Sequence, residues 1–197
     1  DSISIKKTDI MTEDSALLLD ITKEYMSAPI AHLERELVKI RAGKASPNIF
    51  DNIKIDYYGA PTPLSQTANV NIPDAKTIVI QPWDKSILPQ IEKEILAANL
   101  GFTPVNNGEI IRISIPPLTE ERRLELVKKV KAEGENAKIA VRNVRRASLD
   151  EAKALQKGGT PEDEVKNLEK EIQNVTDKKI EEIDKIVGEK EKDIMTV

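Results

Sequence analysis

The feature that most constrains the fold is a long apolar repeat between Thr119 and Gln156. Its apolar or small members recur in steps of three and four, at Val127, Val130, Gly134, Ala137, Val141, Val144, Ser148, Ala152 and Leu155. This spacing places every member on one side of an α-helix and is typical of helices that pack against partner helices. The sequence therefore predicts one long bundle helix, capped by Thr119 and ended by Lys157-Gly158-Gly159.

Two further amphipathic helices are predicted on either side of this one. The first runs from Glu13 to Ile40, with its apolar stripe at Leu19, Met26, Ile30, Leu33, Leu37 and Ile40. Pro29 interrupts it, which predicts a kink or a fresh start capped by Ser27. The other follows the cap signal Thr160-Pro161, with its seam at Val165, Leu168, Ile172, Thr176, Ile180, Ile183, Val187 and Ile194.

Between the first and second of these helices the apolar period changes from helical to two. Alternating runs predict strands at Ile53–Tyr57, Thr67–Ile72, Thr77–Gln81 and Ile111–Ile115. The segment Ser86–Leu100 is predicted as a helix capped by Ser86, with inward residues Ile87, Ile91, Ile95 and Leu96. Asn106-Asn107-Gly108 signals a hairpin, and Tyr58–Pro63 is interpreted as a turn. These residues predict a small α+β unit.

The predicted fold class is α+β, with a discontinuous three-helix bundle formed by residues 1–43 and 118–197. A small β/α/β domain at residues 44–117 is inserted into it. Two short crossings suggest a hinge, and its candidate residues are Gly43, Ser46, Pro47, Ser114, Pro116 and Pro117. Residues 1–11 show no clear period and are expected to be disordered, and Met11 is a candidate natural start.

A line of basic residues shares the long helix without sharing its apolar seam. Its members are Lys128, Lys131, Lys138, Arg142 and Arg145, with Arg146 beside them. From Lys128 to Arg146 seven basic residues stand against Glu133 and Glu135, a local net charge of 7 − 2 = +5, although the whole chain is −4. Such a line could contact phosphates, because helix neighbours three or four apart repeat every ~5–6 Å. Alternatively, its members are simply solvated or paired with acids, as on many exposed helices.

The composition gives little support to an enzyme. There is no cysteine and one histidine, His32. Gly158-Gly159 lacks the lysine and hydroxyl residue of a phosphate-binding loop, and no metal-ligand spacing occurs. We therefore expect no catalytic residue, metal or cofactor. No run is long and apolar enough to span a bilayer and no signal-peptide pattern opens the chain, so we expect no membrane contact and a cytoplasmic location.

Four runs of residues carry a resemblance to a known family. They are Lys39-Ile-Arg-Ala-Gly-Lys-Ala-Ser-Pro47, Asp56-Tyr-Tyr-Gly-Ala-Pro-Thr-Pro-Leu64, Pro116-Pro-Leu-Thr-Glu-Glu-Arg-Arg123 and Ala140-Val-Arg-Asn-Val-Arg-Arg146. Together, and in this order, they resemble the bacterial ribosome recycling factor family from about Asp14 to Val197. The resemblance implies an L-shaped molecule, with a three-helix bundle that carries a smaller β/α/β domain.

The resemblance also implies a function. The family binds the post-termination ribosome through large-subunit RNA and, with elongation factor G and GTP, splits it into subunits. That role is mechanical, and the partner uses the GTP; we expect this chain to act as a monomer. Family arginines that serve RNA binding match Arg142, Arg145 and Arg41, with Arg146 adjacent, and Lys44 stands where some members have arginine. Elongation factor G is expected to push on the small domain and hinge.

A second class of function is compatible with the same pattern. A coiled-coil interaction protein would use the apolar seams and the acidic last helix to hold protein partners, without RNA. Residues 161–197 carry twelve acidic and seven basic side chains, a net charge of −5, which could serve such a role. Salt-sensitive ribosome binding separates the two, because only the first class requires it.

Overall fold

The computed structural model describes residues 12–196, and the expectations for residues 1–11 lie outside this range. The chain divides into two compact units: residues up to Ile40 with those from Arg123 onward, and Arg41–Arg122 between them. The helices are α1 (Glu13–Lys39), α2 (Leu88–Ala97), α3 (Glu120–Lys157) and α4 (Glu162–Met195). The strands are β1 (Lys54–Tyr57), β2 (Ala60–Pro63), β3 (Ala68–Asp74), β4 (Thr77–Pro82), β5 (Pro104–Asn106) and β6 (Ile111–Ser114). The predicted α+β class, with a discontinuous helical bundle and an inserted β-containing domain, is confirmed.

In the larger unit, each pair among α1, α3 and α4 is joined by a side-chain contact. Thr22 of α1 and Ser148 of α3 bring their hydroxyl oxygens to 2.7 Å inside the bundle. The Thr176 hydroxyl of α4 lies 3.9 Å from the Met26 sulfur of α1. Between α3 and α4, a Cβ atom added at Gly134 would meet Val187 at 2.6 Å, so glycine allows these helices to approach closely.

The predicted seam of α3 is confirmed along most of its length. The buried residues of α3 are Leu126, Val130, Gly134, Ala137, Val141, Ser148 and Ala152. Of the predicted members, Val127, Val144 and Leu155 are only half-buried, and at the start of the helix Leu126 is buried in place of Val127. Leu126, Val130 and Gly134 follow one another in steps of four, so the buried face begins one residue earlier than the three-residue step predicted before Val130.

Two predicted N-caps are wrong: Ser27, the cap of a fresh start that was the alternative to a kink at Pro29, and Thr160 before α4. α1 runs without a break through Pro29, and the Ser27 hydroxyl donates to the Lys23 carbonyl at 2.9 Å instead of capping a new helix. At α4 the predicted cap Thr160 donates its backbone N–H to the Leu155 carbonyl, and Gly159 with φ +111° precedes it. Thr160 therefore completes the C-terminal turn of α3, since a left-handed glycine directs the next N–H back to the helix end.

The predicted Thr119 cap is confirmed, because its hydroxyl accepts the Arg122 backbone N–H at 3.1 Å.

The smaller unit holds two antiparallel sheets, one of order β1-β2 and one of order β3-β4-β6-β5. Helix α2 covers a core in which isoleucine dominates; the members exposed by at most 1% are Ile55, Leu64, Ile78, Ile80, Ile91, Ile95, Ile111 and Ile113. Seven of these eight side chains are isoleucine, which suits strands because branching at Cβ favours extended backbone.

At two places in this unit the prediction was wrong because proline was taken as a signal against a strand. Residues interpreted as a turn form β2, which pairs with β1 through Pro61 and Pro63. Pro73 was expected to end a strand, yet β3 continues through it to Asp74. Both strands lie at the edges of their sheets, and an edge strand tolerates a residue that cannot donate a backbone hydrogen bond.

The predicted start and inner face of α2 need correction as well. Asp84, not Ser86, is the cap: its carboxylate accepts the Ser86 backbone N–H at 2.9 Å and opens a short 3-10 turn before α2. This bond holds the pKa of Asp84 below its ordinary value. Leu96 is 53% exposed, while Ile91 and Ile95 are buried as predicted, because Ile91 and Ile95 lie one turn apart on the same face of α2 and Leu96 lies about 100° further round the helix.

Candidate nucleic-acid interface

The basic line predicted on α3 lies on one continuous helix, but its members differ in exposure. Lys128, Lys131, Arg142 and Arg146 are exposed, whereas Lys138 and Arg145 are half-buried. The last two are seven residues apart, so they lie two turns from each other on the same flank of α3. We call the exposed four the outer set and the half-buried two the inner pair.

Lys138 of the inner pair forms a salt bridge between helices. Its Nζ lies 2.5 Å from the Asp184 carboxylate of α4 and 3.6 Å from Glu135 one turn away on α3. The side chain is 18% exposed, and the hydrogen bond to Asp184 raises the pKa of Lys138 above its ordinary value. The charge of Lys138 is thus partly balanced inside the protein.

Arg145, the other inner residue, is held by an amide instead of a carboxylate. Its Nη1 donates to the Gln173 side-chain oxygen of α4 at 2.7 Å, and the Gln173 side-chain nitrogen donates to Asp177 at 2.8 Å. The Nε atom of Arg145 is buried without a hydrogen-bond partner among residues 12–196. An amide leaves the full positive charge of the guanidinium uncompensated, in contrast to the pairing of Lys138.

Arg142 and Arg146 of the outer set lie one turn apart on the exposed face. Neither forms an ion pair with any residue that the structure describes. Each guanidinium can present several N–H donors to one phosphate, and their spacing suits successive groups along a nucleic-acid backbone. Together with Arg145 they form the arginine cluster (Arg142, Arg145 and Arg146), and Lys128 and Lys131 continue the same charged side towards the start of α3.

The two remaining predicted RNA-binding residues, Arg41 and Lys44, belong to the smaller unit. Arg41 is exposed; its Nη1 donates to the Leu100 carbonyl, and its guanidinium carbon lies 5.9 Å from the centre of the Phe102 ring. Lys44 is half-buried. These contacts give Arg41 a defined orientation on the surface of its own unit.

All six predicted hinge residues also fall within the smaller unit. Gly43 adopts φ +72°, and a Cβ atom there would lie 2.7 Å from Leu118, so this position requires glycine. Ser46 caps a 3-10 turn that begins at Pro47, and Ser114 ends β6 opposite Thr77. Pro116 and Pro117 lie in irregular chain between β6 and α3. Their role as a hinge stays a prediction.

Within residues 12–196 there is no group of three or more acidic or histidine side chains placed to hold a metal ion. No helix in that part of the chain is both long and apolar enough to cross a membrane.

Comparison with known proteins assigns the family. The family model described as "Ribosome recycling factor" matches residues 33–195. The chain belongs to the ribosome recycling factor family. The ribosome recycling factor of Flavobacterium psychrophilum is 53% identical over 187 residues, which cover 95% of this chain and all of that relative. The factor of Desulforamulus reducens is 48% identical over 180 residues, covering 91% and 98%.

Two solved structures are similar to this chain as well. One is described as the solution structure of the ribosome recycling factor, with a TM-score of 0.79 at 37% identity, covering 95% of this chain and all of that chain. The other is described as models for the T. thermophilus ribosome recycling factor and the E. coli elongation factor G bound to the E. coli post-termination complex. Its TM-score is 0.63 at 41% identity, covering 92% of this chain and 99% of that one.

The sequence reasoning identified the family and the cationic line, but it missed Gln173 and Asp177. Both lie on α4 beside the apolar seam, and they follow each other by one turn, as a helix requires for an amide to reach a carboxylate. The pattern Gln-x-x-x-Asp therefore predicts a side-chain hydrogen bond between these two residues within α4. Its contact with Arg145 depends on how α3 and α4 pack, which no spacing within one helix reveals.

Proposed function

We propose that this chain is a ribosome recycling factor that binds the post-termination ribosome through large-subunit RNA and, with elongation factor G and GTP, splits it into subunits. The observation that carries the RNA contact is the arginine cluster on α3, in which Arg142 and Arg146 are exposed without ion pairs among residues 12–196. The ribosome and elongation factor G are supported as partners by the similar T. thermophilus factor described with both.

The arginine cluster suits folded RNA for a physical reason. Each arginine that contacts a phosphate releases condensed counterions, which favours binding and makes it sensitive to salt. The major groove of double-helical RNA is too deep and narrow for side chains to reach its base edges, so proteins recognise such RNA mainly through its shape and its phosphate and 2′-hydroxyl groups. Because α3 has 38 residues in one unbroken helix, the cluster keeps its spacing without help from a loop.

We propose a mechanical role without catalysis. Elongation factor G binds and hydrolyses GTP, and the chain supplies a docking surface and a small domain to be pushed. The chain passes between the two units only twice, next to the predicted hinge segments Gly43–Pro47 and Ser114–Pro117, and we propose that two short connections permit a pivot and resist free tumbling. Arg41 and Lys44 add positive charge to the smaller unit and serve the same ribosomal RNA.

The coiled-coil interaction protein loses its main support once the bundle is known. That hypothesis requires apolar seams that are exposed and able to contact a partner protein. Val130 and Val141 of α3 and Ile172 of α4 are each 0% exposed, because the three helices of the bundle bury their seams on one another. Leu124 and Ile139 of α3 are 51% and 52% exposed but lie fifteen residues apart, whereas the basic residues follow one side of the helix, which suits an anionic partner.

The proposal is tested by ribosome splitting, measured by light scattering on post-termination ribosomes with elongation factor G and GTP. We expect the wild-type chain to split ribosomes and Arg142→Ala/Arg145→Ala to lose most of this activity, since two phosphate contacts disappear. The matched control is Lys23→Ala/Lys178→Ala, which removes two exposed positive charges from α1 and α4. This control should split ribosomes as the wild type does, and circular dichroism should show all three proteins folded.

Two results would contradict different parts of the proposal. A folded wild type that neither binds nor splits ribosomes, even with elongation factor G of the same source, removes the recycling function. Normal splitting by the arginine variant keeps the function and removes the arginine cluster as its docking site.

A further inference from the structure

We infer that Gln173, held in place by Asp177, is a positioning residue that fixes the Arg145 guanidinium for a phosphate of the ribosomal RNA. This inference rests on the proposed function and concerns how one arginine of the cluster is prepared for its ligand. It begins with the direction of the two hydrogen bonds. The Asp177 carboxylate can only accept, so the Gln173 amide turns its nitrogen to Asp177 and its oxygen to Arg145.

This order makes Gln173 an oriented acceptor. Asp177 lies one turn after Gln173 on α4, and its 2.8 Å bond prevents the amide from rotating. The amide oxygen then faces Arg145 Nη1 across the gap between α3 and α4 at 2.7 Å. An arginine side chain has about 2 kcal/mol of rotamer entropy, much of which binding would otherwise have to remove. Fixing it in advance lowers that cost.

The choice of an amide matters as much as its position. Lys138 lies two turns before Arg145 on α3, and there α4 presents a carboxylate, that of Asp184, in place of an amide. The charges of Lys138 and Asp184 compensate each other. Gln173 is neutral, so it orients Arg145 and leaves its charge for an anion. Unlike Nε, the Nη2 nitrogen is reached by solvent and makes no hydrogen bond within residues 12–196, so it keeps two N–H donors for a ligand.

The Arg145–Gln173 hydrogen bond is not well explained as a contact that only stabilises the packing of α3 on α4. The Nε atom of Arg145 is buried with no acceptor in the described part of the chain, and a buried unsatisfied donor costs stability. A residue that served only to join α3 to α4 would gain by satisfying this group. The arrangement is better explained by the direction that it gives to the end of the guanidinium.

Binding to isolated large ribosomal subunits tests this inference with full-length variants. We expect Gln173→Ala to weaken binding by about 3- to 10-fold, the cost of ordering one long side chain. Asn174→Ala is the matched control, since Asn174 is an exposed amide next to Gln173, and it should bind as the wild type does. The decisive comparison repeats Gln173→Ala in an Arg145→Ala background, where we expect no further loss.

Asp177 allows a sharper test of the amide's orientation. Asp177→Asn and Asp177→Ala both remove the negative charge, but only asparagine keeps an oxygen that can accept from Gln173. We expect Asp177→Ala to bind more weakly than Asp177→Asn. A ¹⁵N spectrum of the arginine side chains detects the same contact without ribosomes: the Arg145 Nη1–H signal should be distinct in the wild type and move to the position of solvated arginines in Gln173→Ala.

The outcomes separate the inference from the proposed function. If Gln173→Ala binds as tightly as the wild type, or weakens binding equally with and without Arg145, the positioning role is wrong. If Arg145→Ala binds normally, Arg145 makes no useful contact and the inference fails, while the recycling function stands. If the wild type does not bind large subunits, the proposed function fails, and an Arg145 signal that does not respond to Gln173→Ala would refute the holding contact as well.

Discussion

The two units of this protein are stabilised in different ways. The smaller unit packs a nearly continuous isoleucine core, with Ile78, Ile80 and Ile113 each 0% exposed. The larger unit mixes apolar seams with polar and small residues at helix contacts, including the buried hydroxyl pair Thr22–Ser148 and the close approach at Gly134. An apolar core mainly supplies stability, whereas directional contacts also fix which helix faces meet. The arginine cluster belongs to the unit whose helix register is specified in this second way.

The largest expected effect tests the core of the smaller unit. Ile113→Ala removes a fully buried side chain from β6 and should lower the free energy of unfolding by about 3 kcal/mol, through lost burial and the cavity that remains. Leu96→Ala is the control, because Leu96 is 53% exposed and should cost well under 1 kcal/mol. Chemical denaturation followed by circular dichroism measures both. Equal losses would mean that Leu96 packs inward as the sequence suggested.

A middle-sized effect tests the close helix contact in the larger unit. Gly134→Ala should destabilise the protein by about 1–3 kcal/mol, since its Cβ would meet Val187 at 2.6 Å and outweigh the better helix propensity of alanine. Gly188→Ala, in α4 with nothing within 4 Å of its Cβ, should instead stabilise by up to about 1 kcal/mol. Thermal unfolding compares the two. A second change, Val187→Ala, should relieve part of the loss, and no relief would show that this contact is misplaced.

The smallest effect tests the charged contact between α3 and α4. Asp184→Asn should lower the free energy of unfolding by about 0.5 kcal/mol near neutral pH, because Asp184 is 60% exposed and solvent screens the pair. The salt bridge raises the pKa of Lys138, so its stabilisation is complete below the ordinary lysine pKa and disappears as pH rises through the folded value. Denaturation curves from pH 7 to strongly alkaline pH should therefore converge for the two proteins. Glu135→Gln is the control: the Glu135 carboxylate oxygen lies 3.6 Å from Lys138 Nζ, so its replacement should lower the free energy of unfolding by less than Asp184→Asn does.

The sequence predicted the helices better than the strands. The seams of α3 and α4 repeat over many turns, so an error such as Val127 for Leu126 shifts one residue and leaves the helix correct. The strands are short, and β2 was missed because Pro61 and Pro63 signal a turn when read locally. Only the pairing with β1 shows that these prolines lie at a sheet edge, where their missing N–H groups are tolerated.

The candidate site was predictable in its charges but not in its contacts. Arg142 and Arg146 were identified from spacing and resemblance, and their exposure follows from the helical period alone. The division between the outer set and the inner pair depends on α4, which brings Asp184 to Lys138 and Gln173 to Arg145. These partners lie 46 and 28 positions away along the chain, so no local pattern could reveal them.

The salt dependence of binding to large ribosomal subunits tests the central claim most directly, because it counts the phosphate contacts that we propose for the arginine cluster. Wild type and Arg142→Ala/Arg145→Ala would be compared by the slope of log affinity against log salt concentration. We predict a steep negative slope for the wild type and a slope shallower by between about one and two for the variant. Identical slopes for the two folded proteins would contradict the claim that these arginines bind the RNA backbone.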